Sequence, residues 1–312
     1  VLALTAQVTP GAHVAGVWGR GRLTAAAPLM LTRERGLRVA RTLGHPSNWF
    51  DAEPPAEAGA ADGLAAELCA LDADVLTLAE VRPSSPLVQA LAAHRPVRLR
   101  HEYPTYRVRT EESPGLPARR REAGRVLRRA QRAGAHVEVD TLGAWPEVEA
   151  ALDAALALHL RRWVAADADT GGGPPPDELV VTPEGRELVR RCLVHLGRAG
   201  ALRLTRITID GRLAAFALAA VTGARAVMYR TAHDRTSPHA SGLGAAALVT
   251  SMGDLGAEGV GVIDLGAGGD AFKRHFADPE PVVTLQAALS RRGRVLLRAA
   301  GARAALGRGA RR

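Results

Sequence analysis

A chain of 312 residues that is 47% apolar and 23% charged carries a net charge of +9. The composition excludes a disordered chain, the length suits two domains, and with no run of eighteen apolar residues no transmembrane helix is predicted. The positive excess points to an anionic partner: nucleic acid, a phosphorylated cofactor or a membrane surface.

In chain order, Val1 to Ala6 lacks the basic and apolar segments of a signal peptide and reads like the middle of a strand, so the expectation is a shortened start. Residues 21–29 read as a strand after a turn. Asn48-Trp49-Phe50-Asp51 sets aromatic faces beside an amide and a carboxylate, which suits a sugar-like acceptor as well as a loop folded on its own domain. An Ala/Pro/Gly loop from Glu53 leads to a helix over 62–71, then a buried strand over 74–81. Ser84-Ser85-Pro86 predicts a capped helix running to His94. Cys69 and Cys192 lie in separate apolar helical patterns without metal-ligand spacing; buried free thiols of a cytoplasmic protein are expected, and no metal.

Turn chemistry over Glu111 to Pro117 marks a boundary. The helix that follows, from Ala118 to Gly134, carries Arg121, Arg125, Arg128 and Arg132 on one stripe, either a solvated face or a rail for an anionic substrate. A strand at 137–139 and an amphipathic helix from Trp145 to Ala165 come next. After the loop Gly171 to Pro176, a helix over 183–199 opens at Thr182-Pro183 and stops at Gly200. Strands over 202–209, 212–221 and 225–231 then form a meander, the first turn set by Asp210-Gly211. A helix from Gly242, a strand over 260–265 and a glycine-rich turn complete the pattern.

Small residues at a helix start let backbone N–H groups close on a phosphate, and His239-Ala-Ser241-Gly242-Leu243-Gly244 has that form. The turn after the last strand ends in Lys273, the only lysine in the chain; its compact ammonium differs from the guanidinium used everywhere else. Beyond it, Arg291, Arg292, Arg294, Arg298, Arg303, Arg308, Arg311 and Arg312 form an acid-free tail, read as solubilising electrostatics.

The order helix, helix, three antiparallel strands, helix, strand, with His239-x-x-Gly242-x-Gly244, resembles the GNAT-fold acyltransferases, whose coenzyme A loop has the form Q/R-x-x-G-x-G/A; histidine replaces the usual Gln or Arg. Several further features are similar to the cellulose- and exopolysaccharide-associated bacterial branch, related to the Fem-type aminoacyltransferases: the arginine-rich helix, His159-Leu-Arg161-Arg162-Trp163, Asp210-Gly-Arg-Leu-Ala-Ala, Tyr229 with Asp234, and Asp264 through Phe272-Lys273. The resemblance implies an α/β fold of tandem GNAT-like domains with mixed, mainly antiparallel sheets. The first (1–112) is degenerate, the second (113–290) carries the acyltransferase, and 291–312 is the basic tail. It implies acetyl-CoA as acyl donor, bound by His239, Ser241, Gly242, Leu243 and Gly244, and direct transfer to an amine or hydroxyl of a small-molecule or saccharide acceptor, as in polysaccharide or cell-envelope biosynthesis. Asp264 is the favoured base, with a turn-forming role equally open; Tyr229 would protonate the leaving thiolate, and Lys273 would bind an anion or orient the acceptor. Asn48, Trp49, Asp51, His159, Arg162 and Trp163 are candidates for acceptor binding, with His159 and His233 as second-choice bases. A Fem-like enzyme drawing its aminoacyl group from tRNA, and a noncatalytic binding protein, are the alternatives.

Overall fold

The computed structural model describes residues 12–43, 54, 56–57, 59–111, 113, 115–170, 182–266 and 272–309, with side chains at 101–103, 162–170, 184 and 301–309 outside the description. Two compact units result: the chain up to Tyr103 together with the segment from Pro281, and the continuous stretch Pro104–Glu280.

The first unit opens with an antiparallel meander of β1 (Ala12–Gly19), β2 (Arg22–Glu34) and β3 (Leu37–Thr42). Both turns have two residues at positive φ, Arg20-Gly21 and Arg35-Gly36, the geometry whose twist matches the flanking strands. Helix α1 (Ala61–Cys69) crosses to β4 (Val75–Val81), which pairs with β3 in parallel at only three positions, Val39/Val75, Ala40/Leu76 and Arg41/Thr77. Where the two strands part, the buried Thr42 hydroxyl accepts the Ala79 N–H at 3.0 Å, closing the split. Helix α2 (Pro86–His94) starts as expected, Ser85 Oγ accepting the Leu87 N–H. After β5 (Val97–Arg109), which continues into the second unit, the chain returns with β11 (Pro279–Ala288), antiparallel to β4, and helix α7 (Arg291–Gly309). Leu64, Leu68, Leu76, Leu78, Leu91 and Leu285 form the core on the α1/α2 face.

The second unit repeats the order. Strands β7 (Leu202–Ile209), β8 (Arg212–Thr222) and β9 (Arg225–His233) form the meander, α6 (Leu243–Ala257) crosses, and β10 (Val262–Asp264) pairs with β9 in parallel, again at three positions. The strand β6 (Val137–Leu142) borders β7 and β10 borders β5, giving the order β5-β10-β9-β8-β7-β6. Helix α3 (Leu116–Arg132) and α6 cover one face, where Ala123, Ala246 and Ala247 keep the packing close. Helices α4 (Trp145–Thr170) and α5 (Pro183–Arg198) cover the other, their buried Leu152, Leu158 and Leu193 lying on the side of Phe216 and Leu218 by strand alternation. Thr182 caps α5 through Gly185 N–H, as the sequence predicts.

The expected α/β class with mixed, mainly antiparallel sheets is therefore present. The basic tail is helical through Gly309, and its start is anchored. Ser290 Oγ donates to Asp74 at 2.6 Å while accepting the Gly293 N–H, and Arg38 N–H reaches the same carboxylate at 3.0 Å. The Ser290 hydroxyl, then the Arg38 amide, hold the Asp74 carboxyl below its ordinary value. Since the folded value is the lower one, this stabilisation is complete above the unfolded carboxylate pKa of about 3.9 and disappears as pH falls through the folded value. Thermal melts should find Asp74→Asn less stable than wild type at neutral pH, with the gap closing below about pH 4; a gap independent of pH would contradict this linkage.

Candidate functional site

The site grows out of the place where β9 and β10 separate. Parallel pairing ends at Val227/Asp264, yet β9 runs six residues further, to His233. The chain after β10 instead leaves toward β5: Leu265 N–H donates to Tyr106 O at 2.8 Å. The Asp264 carboxylate fixes that departure, accepting from Thr105 Oγ1 at 2.7 Å, Gly266 N–H at 2.7 Å and Arg107 Nε at 3.3 Å, with Glu280 beside Arg107 at 3.8 Å. Gly266 needs its glycine because φ is +73°. Lys273, in a 3-10 turn (Lys273–His275), donates from Nζ to Gly266 O at 3.2 Å. Both ends of the turn are thus tied at Gly266.

Opposite, β9 carries a bulge. Leu218 pairs with Arg230 and Ala219 with Met228, so Tyr229 is the extra residue. Among the described residues no strand borders the β10-facing edge of β9 beyond Val227. The Tyr229 ring is buried, with the Arg230 guanidinium 4.3 Å above it. Burial, then the neighbouring Cys192, pushes the phenol far above the ordinary tyrosine value, so it stays protonated and keeps a proton to donate. Burial lowers Arg230 to about 10, which leaves it charged at neutral pH.

The last residue of β9, His233, abuts the start of α6. Four residues separate Tyr229 from His233, about 13 Å of strand. A Cβ on Gly244 would lie 2.8 Å from His233 Nδ1, and one on Gly242, at φ +86°, 2.8 Å from Val126 Cγ2 of α3. Close approach therefore favours glycine at both positions, and backbone conformation requires it at Gly242. Leu243 N–H is used by Ala240 O and Ala246 N–H by Gly242 O, while no side chain caps the helix. The N–H groups of Gly244 and Ala245 therefore face outward at the positive end of a fifteen-residue helix. Arg129 of α3 donates from Nη2 to Ser241 O at 3.1 Å and brings a guanidinium to the same place. Ser237 Oγ accepts the His239 N–H, and Asp234, held below its ordinary value by the Thr236 hydroxyl and then its amide, orders the preceding turn.

The structure thus gathers Asp264 and Lys273 about one turn, with Tyr229 on the neighbouring strand and the 239–244 loop at that strand's far end. Two assignments change in detail: Leu243 is a core residue whose N–H is already bonded, and His239 is bonded through its backbone N–H. His159 is buried in α4. Asn48, Trp49 and Asp51 lie outside the described residues, as do the side chains of Arg162 and Trp163. Thr105, Arg107, Arg129 and Ala245 were missed; the first two stand more than 150 residues from Asp264, so no local pattern announces them. No cluster of metal-ligating residues occurs among the described residues, and no described helix is long and apolar enough to cross a membrane.

A family model described as the acetyltransferase (GNAT) domain matches residues 117–274. Among solved structures, the chain is similar to the C-terminal domain of a putative lysylphosphatidylglycerol synthetase from Agrobacterium fabrum, at 17% identity over 96% of this chain and 91% of that one, with a TM-score of 0.57. L-PGS from Bacillus licheniformis shares 12% identity over 93% and 91% of the two chains, TM-score 0.58. FemX shares 12% over 92% and 88%, TM-score 0.58. At such identities these likenesses establish the fold alone. No curated protein matched the sequence.

Proposed function

The chain belongs to the acetyltransferase (GNAT) domain family, and from that premise we propose that it is an acetyl-CoA-dependent N-acyltransferase acting by direct transfer. The observation that carries the reading is the three-residue parallel pairing of β9 and β10, followed by divergence around the Tyr229 bulge. The residues present fit such a donor: the unbordered stretch of β9 beyond Val227 for its extended arm, then Gly244 and Ala245 N–H with Arg129 for its phosphates. The donor supplies an acyl thioester that the acceptor amine or hydroxyl attacks. The C–S bond breaks as the new acyl bond forms, the Tyr229 phenol gives its proton to the leaving thiolate, and the proton lost by the acceptor passes through solvent to restore the phenol.

Asp264 takes the positioning role in this reading, because its carboxylate is occupied by three donors that hold the split open. Lys273, tied to Gly266 O, is the cation nearest the turn and orients the acceptor. A saccharide or secondary-metabolite amine is the proposed acceptor class, on the strength of Asn48-Trp49-Phe50-Asp51. The first unit is proposed to be a degenerate copy of the second: Thr42 fills the equivalent split, and α1 has Asp62 in its first turn, where an anion would be repelled.

One observation favours a second reading. Helix α3 carries seven arginines against a single glutamate, and Arg121, Arg125, Arg128 and Arg132 are all exposed, as a tRNA-borne donor would require. Calorimetry with acetyl-CoA tests the first: micromolar binding with little salt dependence supports it. No heat from acetyl-CoA, with tRNA binding that falls steeply with salt, replaces it by the second. Neither response would leave a binding protein without transferase activity.

A further inference from the structure

The sheet of the first unit has two unlike faces. Ala15, Ala25, Ala27, Leu29, Ala40, Leu76 and Leu78 point into the α1/α2 core. Strand alternation then puts Val14, Gly16, Trp18 and Val75 on the opposite face, and the pairing of Trp18 with Leu23 adds Leu23 to it. A Cβ on Gly16 would meet Leu23 Cδ1 at 2.9 Å and Trp18 Nε1 at 4.0 Å, so these side chains adjoin. All three large ones are bare: Trp18 is 71% exposed, Val14 57% and Leu23 43%. Arg20, at the hairpin tip, is exposed next to them; Arg22 is paired with Glu57.

Helix α7 begins on this same face, since a Cβ on Gly293 would touch Asp74 O and Val75 Cγ2. Gly293, Leu297 and Ala300, spaced four and three, turn inward, and the rest of the described helix looks outward. The outward side holds Arg291, Arg292, Arg294 and Arg298 with Val295 at 68% and Leu296 at 40% exposure. From Pro281 to the last residue there is no acidic side chain.

We propose that this face of the first unit, the β1–β2 hairpin with α7, docks on a bilayer containing anionic phospholipid. Bare tryptophan, leucine and valine flanked by arginine match the interfacial region of a membrane, where an indole sits at headgroup level and guanidinium groups meet lipid phosphate. Nucleic acid would use the arginines and leave the apolar side chains in water. The inference is independent of the acyltransferase reading: it concerns the unit whose strand split is closed by Thr42.

Flotation with vesicles tests it, comparing phosphatidylcholine alone with two parts phosphatidylcholine to one of phosphatidylglycerol. Wild type should float with the anionic vesicles only. Trp18→Ser with Leu23→Ser should weaken binding at least about 10-fold, the area of two interfacial side chains being lost. Arg291→Gln, Arg294→Gln and Arg298→Gln together should weaken it about 100-fold, at about five-fold for each charge. All five positions are exposed, so circular dichroism should be unchanged. Lack of flotation by wild type overturns the proposal. So does flotation indifferent to Trp18 and Leu23, which would be bulk electrostatics, or a dimer in light scattering that Trp18→Ser abolishes, which would make a second copy the occupant.

Discussion

Gly242→Asp should weaken acetyl-CoA binding by at least about 100-fold in calorimetry, and Gly242→Ala by about 10-fold. The alanine measures the steric part: a side chain at φ +86° costs about 1–2 kcal/mol, and its Cβ presses on Val126 Cγ2 at 2.8 Å. Aspartate adds a negative charge at the helix terminus where Gly244 and Ala245 N–H and the Arg129 guanidinium converge. The difference between the two variants therefore isolates the electrostatic contribution of the cradle. Equal binding by the aspartate variant and wild type would remove the donor from this end of α6.

Asp264→Ala should lower stability by about 2–4 kcal/mol, since it strips three hydrogen bonds from a largely buried site and removes the carboxylate paired with Arg107. Donor KM should rise with it, because Gly266 N–H would lose the carboxylate that ties the start of the turn to β5. Asp264→Asn separates positioning from proton transfer. Its amide oxygen still accepts from Thr105 and Gly266, so a positioning residue would show a modest rise in KM with kcat largely kept. A general base would instead lose kcat by orders of magnitude at nearly unchanged melting temperature and KM. That second outcome would restore the proton-accepting role first expected of this carboxylate.

What the sequence disclosed was local. The Asp210-Gly211 turn, the Ser85 and Thr182 caps and the glycines before α6 each depend on chemistry within a few residues, and each appears where expected. Strands β1, β3, β5 and β11 did not stand out. In β5 arginine alternates with valine and leucine before Pro104, a pattern that resembles a boundary as much as a strand. The Asp264 network was illegible for a different reason: Thr105 and Arg107 reach it through sheet pairing, which sequence spacing does not encode. Arg129 escaped because attention fell on the stripe at 121, 125, 128 and 132, whereas contact with Ser241 O belongs to the neighbouring row of α3. The fit of Gly242 to Val126 likewise exists only once α3 lies along α6.

The duplicated meander has a stoichiometric consequence. A repeated fold offers two splits of the same construction, each opening after three parallel pairs. Strand length makes them unequal, because β3 ends one residue past its last parallel pair, at Thr42, whose hydroxyl takes the Ala79 N–H, whereas β9 runs six residues past its own. A saturating titration should accordingly reach one donor molecule per chain instead of two, the first unit contributing surface and support to turnover that takes place in the second.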